Sequence, residues 1–387
     1  MNPEEFKPDL SLKEKERRWS LARRKMAQEG LAAIIVYAND GHKRDIACRY
    51  FTNMLIFASG EHMLLMPVAG DPILLMSAGE QIFFAKKISW IPAQNIYDSA
   101  NKGADLARHL IALKLQNKRI GVDNPDLWPV RDYLALKELC PDVELVDVTR
   151  WLTEIRVQKS SEEIKRMEDA IRIGELAHRT FLANLKPGMT EEEVVAHVEK
   201  VARANGVERR LWLINSTPEI AWPWLPGKTR IRKPNPVSFS PEFARTEGYA
   251  FQAIRTYCWE EPKGEFKRMW ELWGELRRMV PQEFRPGRRI AEVAAKIEGV
   301  IKDAGFDYFN MGHGLGVHFF EESAISPNPL YPDWTLMPNE VYVFHPMVRA
   351  KGAKGPLAWV GDMYWVGEDS TRWMTPFLPG LPEMIPG

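Results

Sequence analysis

The sequence predicts an α/β domain followed by an α+β domain, and three observations carry that expectation. The chain has 387 residues, which at roughly 150 residues per domain leaves room for two. Up to Asp147, short apolar runs alternate with amphipathic helical stretches, the pattern of a mixed sheet covered by helices. Beyond Ser160, long helices are followed by clusters of β-like stretches, the pattern of helices laid on one side of an antiparallel sheet.

Each element has a local reason. Residues 11–29 read as a charged amphipathic helix stopped by Gly30. Residues 31–37 form an apolar run suited to a buried strand. Residues 63–68 and 73–76 flank Gly70-Asp71-Pro72 and read as a hairpin. Residues 104–115 read as a helix, and 119–123 and 143–148 as strands. A boundary is expected within 151–161, dividing the chain into domains 1–155 and 156–387. Ser160 with Glu163, and Thr190 with Glu193, are capping-box starts of two helices; Pro187-Gly188 separates them and Gly206 ends the second. Residues 266–280 and 290–304 are two further amphipathic helices. The segments 236–243, 248–259, 340–348 and 360–366 read as strands.

Composition removes several function classes. Lys+Arg and Asp+Glu are both 52, so no net charge draws the chain to a polyanion, and nucleic acid is not expected as a partner. Apolar runs are too short to span a bilayer, so no membrane partner is expected. Residues 1–12 lack the apolar core of a signal peptide, and three scattered cysteines suit a reducing compartment, so a cytoplasmic location is expected. Of 14 tryptophans most follow residue 200, an asymmetry that draws attention to the second half.

Several short motifs in that half resemble the creatinase/aminopeptidase P family, the pita-bread fold. They are Leu152-Thr-Glu-Ile-Arg156 with Lys159-Ser160, Lys186-Pro-Gly-Met-Thr-Glu191, Gly248-Tyr249 with Arg255-Thr256, Gly312-His313-Gly314-Leu315-Gly316, and Pro338 with residues 341–346. Arg49-Tyr-Phe-Thr52 is a fainter match in the first half. The resemblance implies a pita-bread C-terminal domain behind a smaller creatinase-type α/β domain, and a homodimer in which the N-terminal domain of one subunit lies near the other's pocket. It also implies two divalent metals held by two aspartates, a histidine and two glutamates, hard oxygens and one imidazole that polarise a shared water. Carried over, the first aspartate falls on Ser240 or Pro241, the second on Gln252, the histidine on His313, the first glutamate on His345 and the last on Val360. Neutral and apolar side chains cannot balance two dications, so neither metal nor cofactor is expected. The positions of creatinase's own catalytic groups fall on Trp222, Ile254, His345, Ala324 and Glu61, so creatine is not an expected substrate.

The residues that remain suggest a histidine pair. His313 and His345, aimed at one cavity, suit acid/base work near neutral pH; Glu321 is expected as a catalytic carboxylate orienting a histidine, and Asp362 as a catalytic acid at a position the family keeps acidic or polar. Trp222, Trp224, Gln252, Tyr249, Arg255, His318, Phe320 and Trp359 are expected to line the substrate pocket, Glu61 and His62 reaching it from a partner subunit. His42, His109, His178 and His197 read as structural. The expectation is therefore a metal-independent hydrolase or lyase. It would cleave a C–N, C–O or C–S bond of a small aromatic or cationic molecule held among aromatic rings. The alternatives are a non-catalytic pita-bread binding module and a metal-dependent Xaa-Pro peptidase-like hydrolase.

Overall fold

The structure, a computed structural model, describes residues 10–39, 46–54, 60–77, 79, 81–217, 223–352 and 357–385. The chain forms two compact units, one of residues 1–156 with 246–248 and one of residues 157–245 with 249–387.

The first unit is built on a mixed six-stranded sheet. Its strand order is Ile96–Asp98, Ile73–Met76, Glu61–Pro67, Ala33–Asn39, Arg119–Asp123, Glu144–Asp147. The hairpin of the central strands is antiparallel, whereas Ala33–Asn39 and Arg119–Asp123 run parallel, as a helical crossover requires. The helix Leu12–Glu29 starts where the Ser11 hydroxyl accepts the Glu14 N–H, and ends where Gly30 takes a left-handed φ of 65°. Helices Ile46–Thr52, Gln81–Ile88 and Val130–Leu139 have no counterpart in the sequence expectation. Ile46–Thr52 is buried throughout, so no polar face marks its period. Residues 151–161, expected as a boundary, hold the end of a helix, Thr149–Val157, because Trp151, Leu152 and Val157 are buried.

The second unit carries largely antiparallel sheets. One runs Glu383–Met384, Arg255–Cys258, Val237–Arg245, Val207–Asn215, with Ala250–Gln252 also paired to Val237–Arg245; only the pairing of Glu383–Met384 with Arg255–Cys258 is parallel among these strands. Another runs His318–Ala324, Gly312–Gly316, Val341–Phe344, Asp362–Val366, Thr371–Trp373. Both expected capping boxes are present at Ser160 and Thr190, opening helices Ser161–Asn184 and Glu191–Ala204. The expected strand 248–259 is broken after Gln252, and 340–348 is broken at His345. Both interruptions fall at residues of the candidate site.

Close packing of the long helix on the sheet is set by Gly174. A Cβ there would lie 2.1 Å from the Phe251 ring. Gly174→Ala is expected to destabilise the chain by about 1–3 kcal/mol through overpacking, in spite of its higher helix propensity. Urea unfolding of the two proteins measures this, and an unchanged midpoint would refute it.

Candidate functional site

Alternation along the strands decides which side chains share a face. In Val237–Arg245, Phe239 stacks on Phe181 of the long helix with ring centroids 4.2 Å apart, and Phe243 packs on Phe251. The odd positions thus face the helices, and Ser238, Ser240 and Glu242 face the opposite side. In the other sheet, Tyr342 and Phe344 belong to the core under the helices Gly264–Glu283 and Ile290–Asp303. Val343 and His345 therefore point away from that core. His313 lies directly across from Val343, so it shares that side. Ala358 and Val360 also sit in the helical core, which leaves Trp359 and Gly361 facing away from it.

Two buried pairs result. The Glu242 carboxylate accepts hydrogen bonds at 3.1 Å from both Ser240 Oγ and Gln252 Nε2. His313 and His345 stand edge to face, ring centroids 5.4 Å apart at 75°. One backbone link joins the pairs. Gln252 lies two residues before Ile254, which exchanges hydrogen bonds of 3.0 and 3.1 Å with Gly361, and a Cβ on Gly361 would lie 3.0 Å from the His345 Cβ.

The electrostatics of these pairs follow from burial. Glu242 has no cation to hold its charge; desolvation pushes its carboxyl up to about 7, against the Ser240 hydrogen bond. Desolvation also pulls His345 down to about 4, so its imidazole is neutral at physiological pH. Both His345 ring nitrogens, Gln252 Oε1 and Trp359 Nε1 are buried with no hydrogen-bond partner among the described residues. Buried polar atoms of this kind call for a ligand or water. His313 Nδ1 lies 2.9 Å from the Gly314 carbonyl, which as acceptor assigns the proton to Nδ1 and leaves Nε2 the acceptor nitrogen.

Comparison with known proteins bears on what these groups serve. The profile of metallopeptidase family M24 matches residues 165–368. The chain belongs to that family. The profile of the creatinase/prolidase N-terminal domain matches residues 18–158. An uncharacterized peptidase, YqhT of Bacillus subtilis, is 26% identical over 54% of this chain and 60% of its own length. A Xaa-Pro dipeptidase of Lactobacillus delbrueckii subsp. lactis is 24% identical over 51% of this chain and 55% of its own. The chain thus spans a little over half the length of these peptidases. Creatinase of a Bacillus species is 24% identical over 98% of this chain and 94% of its own length. Among solved structures, dipeptidase PepE of Mycobacterium ulcerans has a TM-score of 0.81 at 20% identity, covering 98% of this chain and 100% of that one. The X-Pro aminopeptidase of Thermotoga maritima has a TM-score of 0.80 at 18% identity, covering 95% and 98%. These likenesses show a creatinase-type N-terminal domain followed by a pita-bread domain, the fold the motifs implied.

Among the described residues, the positions carried over from the family's metal pair hold few anionic groups. Ser240, Gln252, His313, His345 and Gly361 face the site where five ligands would be needed, and Glu242 is the only carboxylate bonded into it among the described residues. Among the described residues no group of three or more His, Cys, Asp or Glu is arranged to hold a metal ion. Val360, expected at the last ligand position, points into the helical core instead; Gly361 is the residue against His345. Glu242 was not among the expected site residues. Its signal is the period of Phe239-Ser-Pro-Glu-Phe243, which puts a carboxylate on the face opposite two phenylalanines.

Several expected site residues are committed elsewhere. The Asp362 carboxylate pairs with Arg255 at 3.0 Å and with Arg277 at 3.0 Å, and also accepts the Thr375 hydroxyl. Arg255, fully buried, further donates to the carbonyls of Ile254, Gly361, Thr375, Phe377 and Leu378. Both therefore brace the sheet rather than meet substrate. Glu321 is buried against Lys159 and accepts the Val317 N–H. The Tyr249 hydroxyl donates to Glu163 at 2.7 Å, at the start of the long helix. Glu61 accepts Tyr37 Oη and pairs with Lys102 at 3.2 Å, and His62 is buried within its own sheet. His178, expected to be structural, lies between Tyr257 Oη and the Ala253 carbonyl. Trp222 and His42 lie outside the described residues, as do the side chains of His318 and Phe320.

Of the expected pocket aromatics, Trp224 is 66% exposed and Trp359 is buried with its Nε1 unpartnered among the described residues. Trp212 packs on Phe239 and Phe243 and donates to Glu199. A metal-independent hydrolase or lyase acting on a small aromatic or cationic molecule is overturned by the peptidases and dipeptidases the chain resembles.

Proposed function

We propose that this chain is a hydrolase of peptide-type amide bonds, with short Xaa-Pro peptides as its substrate class. The observation that carries this reading is the M24 match over the pita-bread domain, the part that holds the buried Glu242–Gln252 and His313–His345 pairs. Xaa-Pro dipeptidases and prolidases recur among the similar proteins.

The chain's own groups supply proton transfer. A carboxyl titrating near 7 is matched to acid/base work at neutral pH. As carboxylate, Glu242 takes one proton from a water whose hydroxide adds to the amide carbon. The same proton passes to the leaving nitrogen as the C–N bond breaks, so one water is consumed and Glu242 returns to its starting state. His345, neutral and without an internal partner among the described residues, donates a hydrogen bond to the carbonyl oxygen as negative charge develops on it. Gln252 holds the Glu242 carboxylate in place.

Release of free proline from Ala-Pro and Met-Pro, compared with Ala-Ala, tests the reading in chelator and with added Mn²⁺. Hydrolysis of the proline dipeptides in either condition is expected. No hydrolysis in both conditions, with the chain folded, would overturn it.

A further inference from the structure

We infer that this chain does not take up the divalent metal pair of family M24, and that Ile254 fills the space through which one ligand would have to reach. Two independent features point there. The first is chemical. Ser240, Gln252 and His345 give the wall neutral hydrogen-bonding groups and Gly361 no side chain in place of anions, and two dications facing a single carboxylate are not compensated in a buried site. The Glu242 carboxylate already accepts Ser240 Oγ and Gln252 Nε2.

The second is steric. A Cβ on Gly361 would lie 2.0 Å from Ile254 Cδ1 and 3.1 Å from its Cγ1. Ile254 is fully buried, and its backbone is pinned to Gly361 by the paired hydrogen bonds. A side chain at 361 would meet the Ile254 Cδ1 methyl, which would have to shift to admit a ligand.

The inference does not depend on the substrate class. The intact wild-type chain, purified without chelator, is dialysed against Mn²⁺. Bound metal is counted by mass spectrometry and affinity is measured by calorimetry. No stoichiometric uptake is expected, nor any shift of the thermal midpoint with chelator. Stoichiometric, chelator-reversible uptake by the wild type would overturn the inference and leave the peptidase reading standing. The steric part is tested by Gln252→Asp/His345→Glu/Gly361→Glu with and without Ile254→Ala. Mn²⁺ affinity is expected to rise roughly tenfold or more with the alanine, within the range known for residues that orient ligands. Equal affinity would overturn the role given to Ile254. Should these chains not fold, Gly361→Glu is compared with Gly361→Glu/Ile254→Ala. A higher thermal midpoint for the pair is expected, and an equal or lower one refutes the collision.

Discussion

Glu242→Gln is expected to lower hydrolysis of the proline dipeptides by about a hundredfold or more, the range of a lost general base. The amide is nearly isosteric and leaves Ser240 and Gln252 a hydrogen-bonding partner, so the fold should persist. The variant should also change how stability depends on pH. Burial raises the Glu242 carboxyl from its ordinary 4.5 to about 7. Between those values the folded state holds a proton that the unfolded state has released, so stability falls as pH rises. The full effect is on the order of 3 kcal/mol, since each tenfold change in proton affinity is worth about 1.4 kcal/mol. Glu340, also pushed up to about 7 by burial, contributes a slope of the same sign. The difference between wild type and Glu242→Gln isolates the first residue: urea unfolding from pH 4.5 to 8 should show the variant gaining relative stability as pH rises. A parallel pair of curves would mean that Glu242 is not buried as a lone carboxyl. Undiminished turnover would remove it from the reaction.

Asp362→Ala is expected to cost about 3–5 kcal/mol of stability, because it strands two arginines where one carboxylate served both. Arg255 retains its carbonyl partners, but none of these carries a full charge. Thermal unfolding decides between a brace and a reacting group. A brace gives a large fall in the midpoint. A normal midpoint with lost turnover would restore Asp362 to the chemistry.

The two largest effects thus fall on one residue that sequence reading passed over and one it placed wrongly, for related reasons. Asp362 and Glu321 stand beside family motifs and look like acids near histidines. Their partners, Arg277 and Lys159, are remote in sequence, so the ion pairs that commit them form only when distant elements close together. Glu242 lay one step from an expected ligand position. Its side was decided by the alternation of Phe239 and Phe243 against a helix far back in the chain. The same alternation turns Val360 inward and brings Gly361 beside His345.

Local interactions were legible from the chain alone. The N-caps at Ser160 and Thr190, the stop at Gly30 and the hairpin before Ile73 depend on neighbours within a few residues, and a sequence states those directly. The motifs with Gly248, Arg255 and Gly312 carried the family, because they mark backbone close approaches and a central brace that the fold cannot do without. What a side chain does in the site was left to tertiary structure. Charge in a protein interior is set by burial and by partners from other strands, and only their meeting made Glu242 a lone buried carboxyl, His345 a neutral imidazole and Asp362 a clamp.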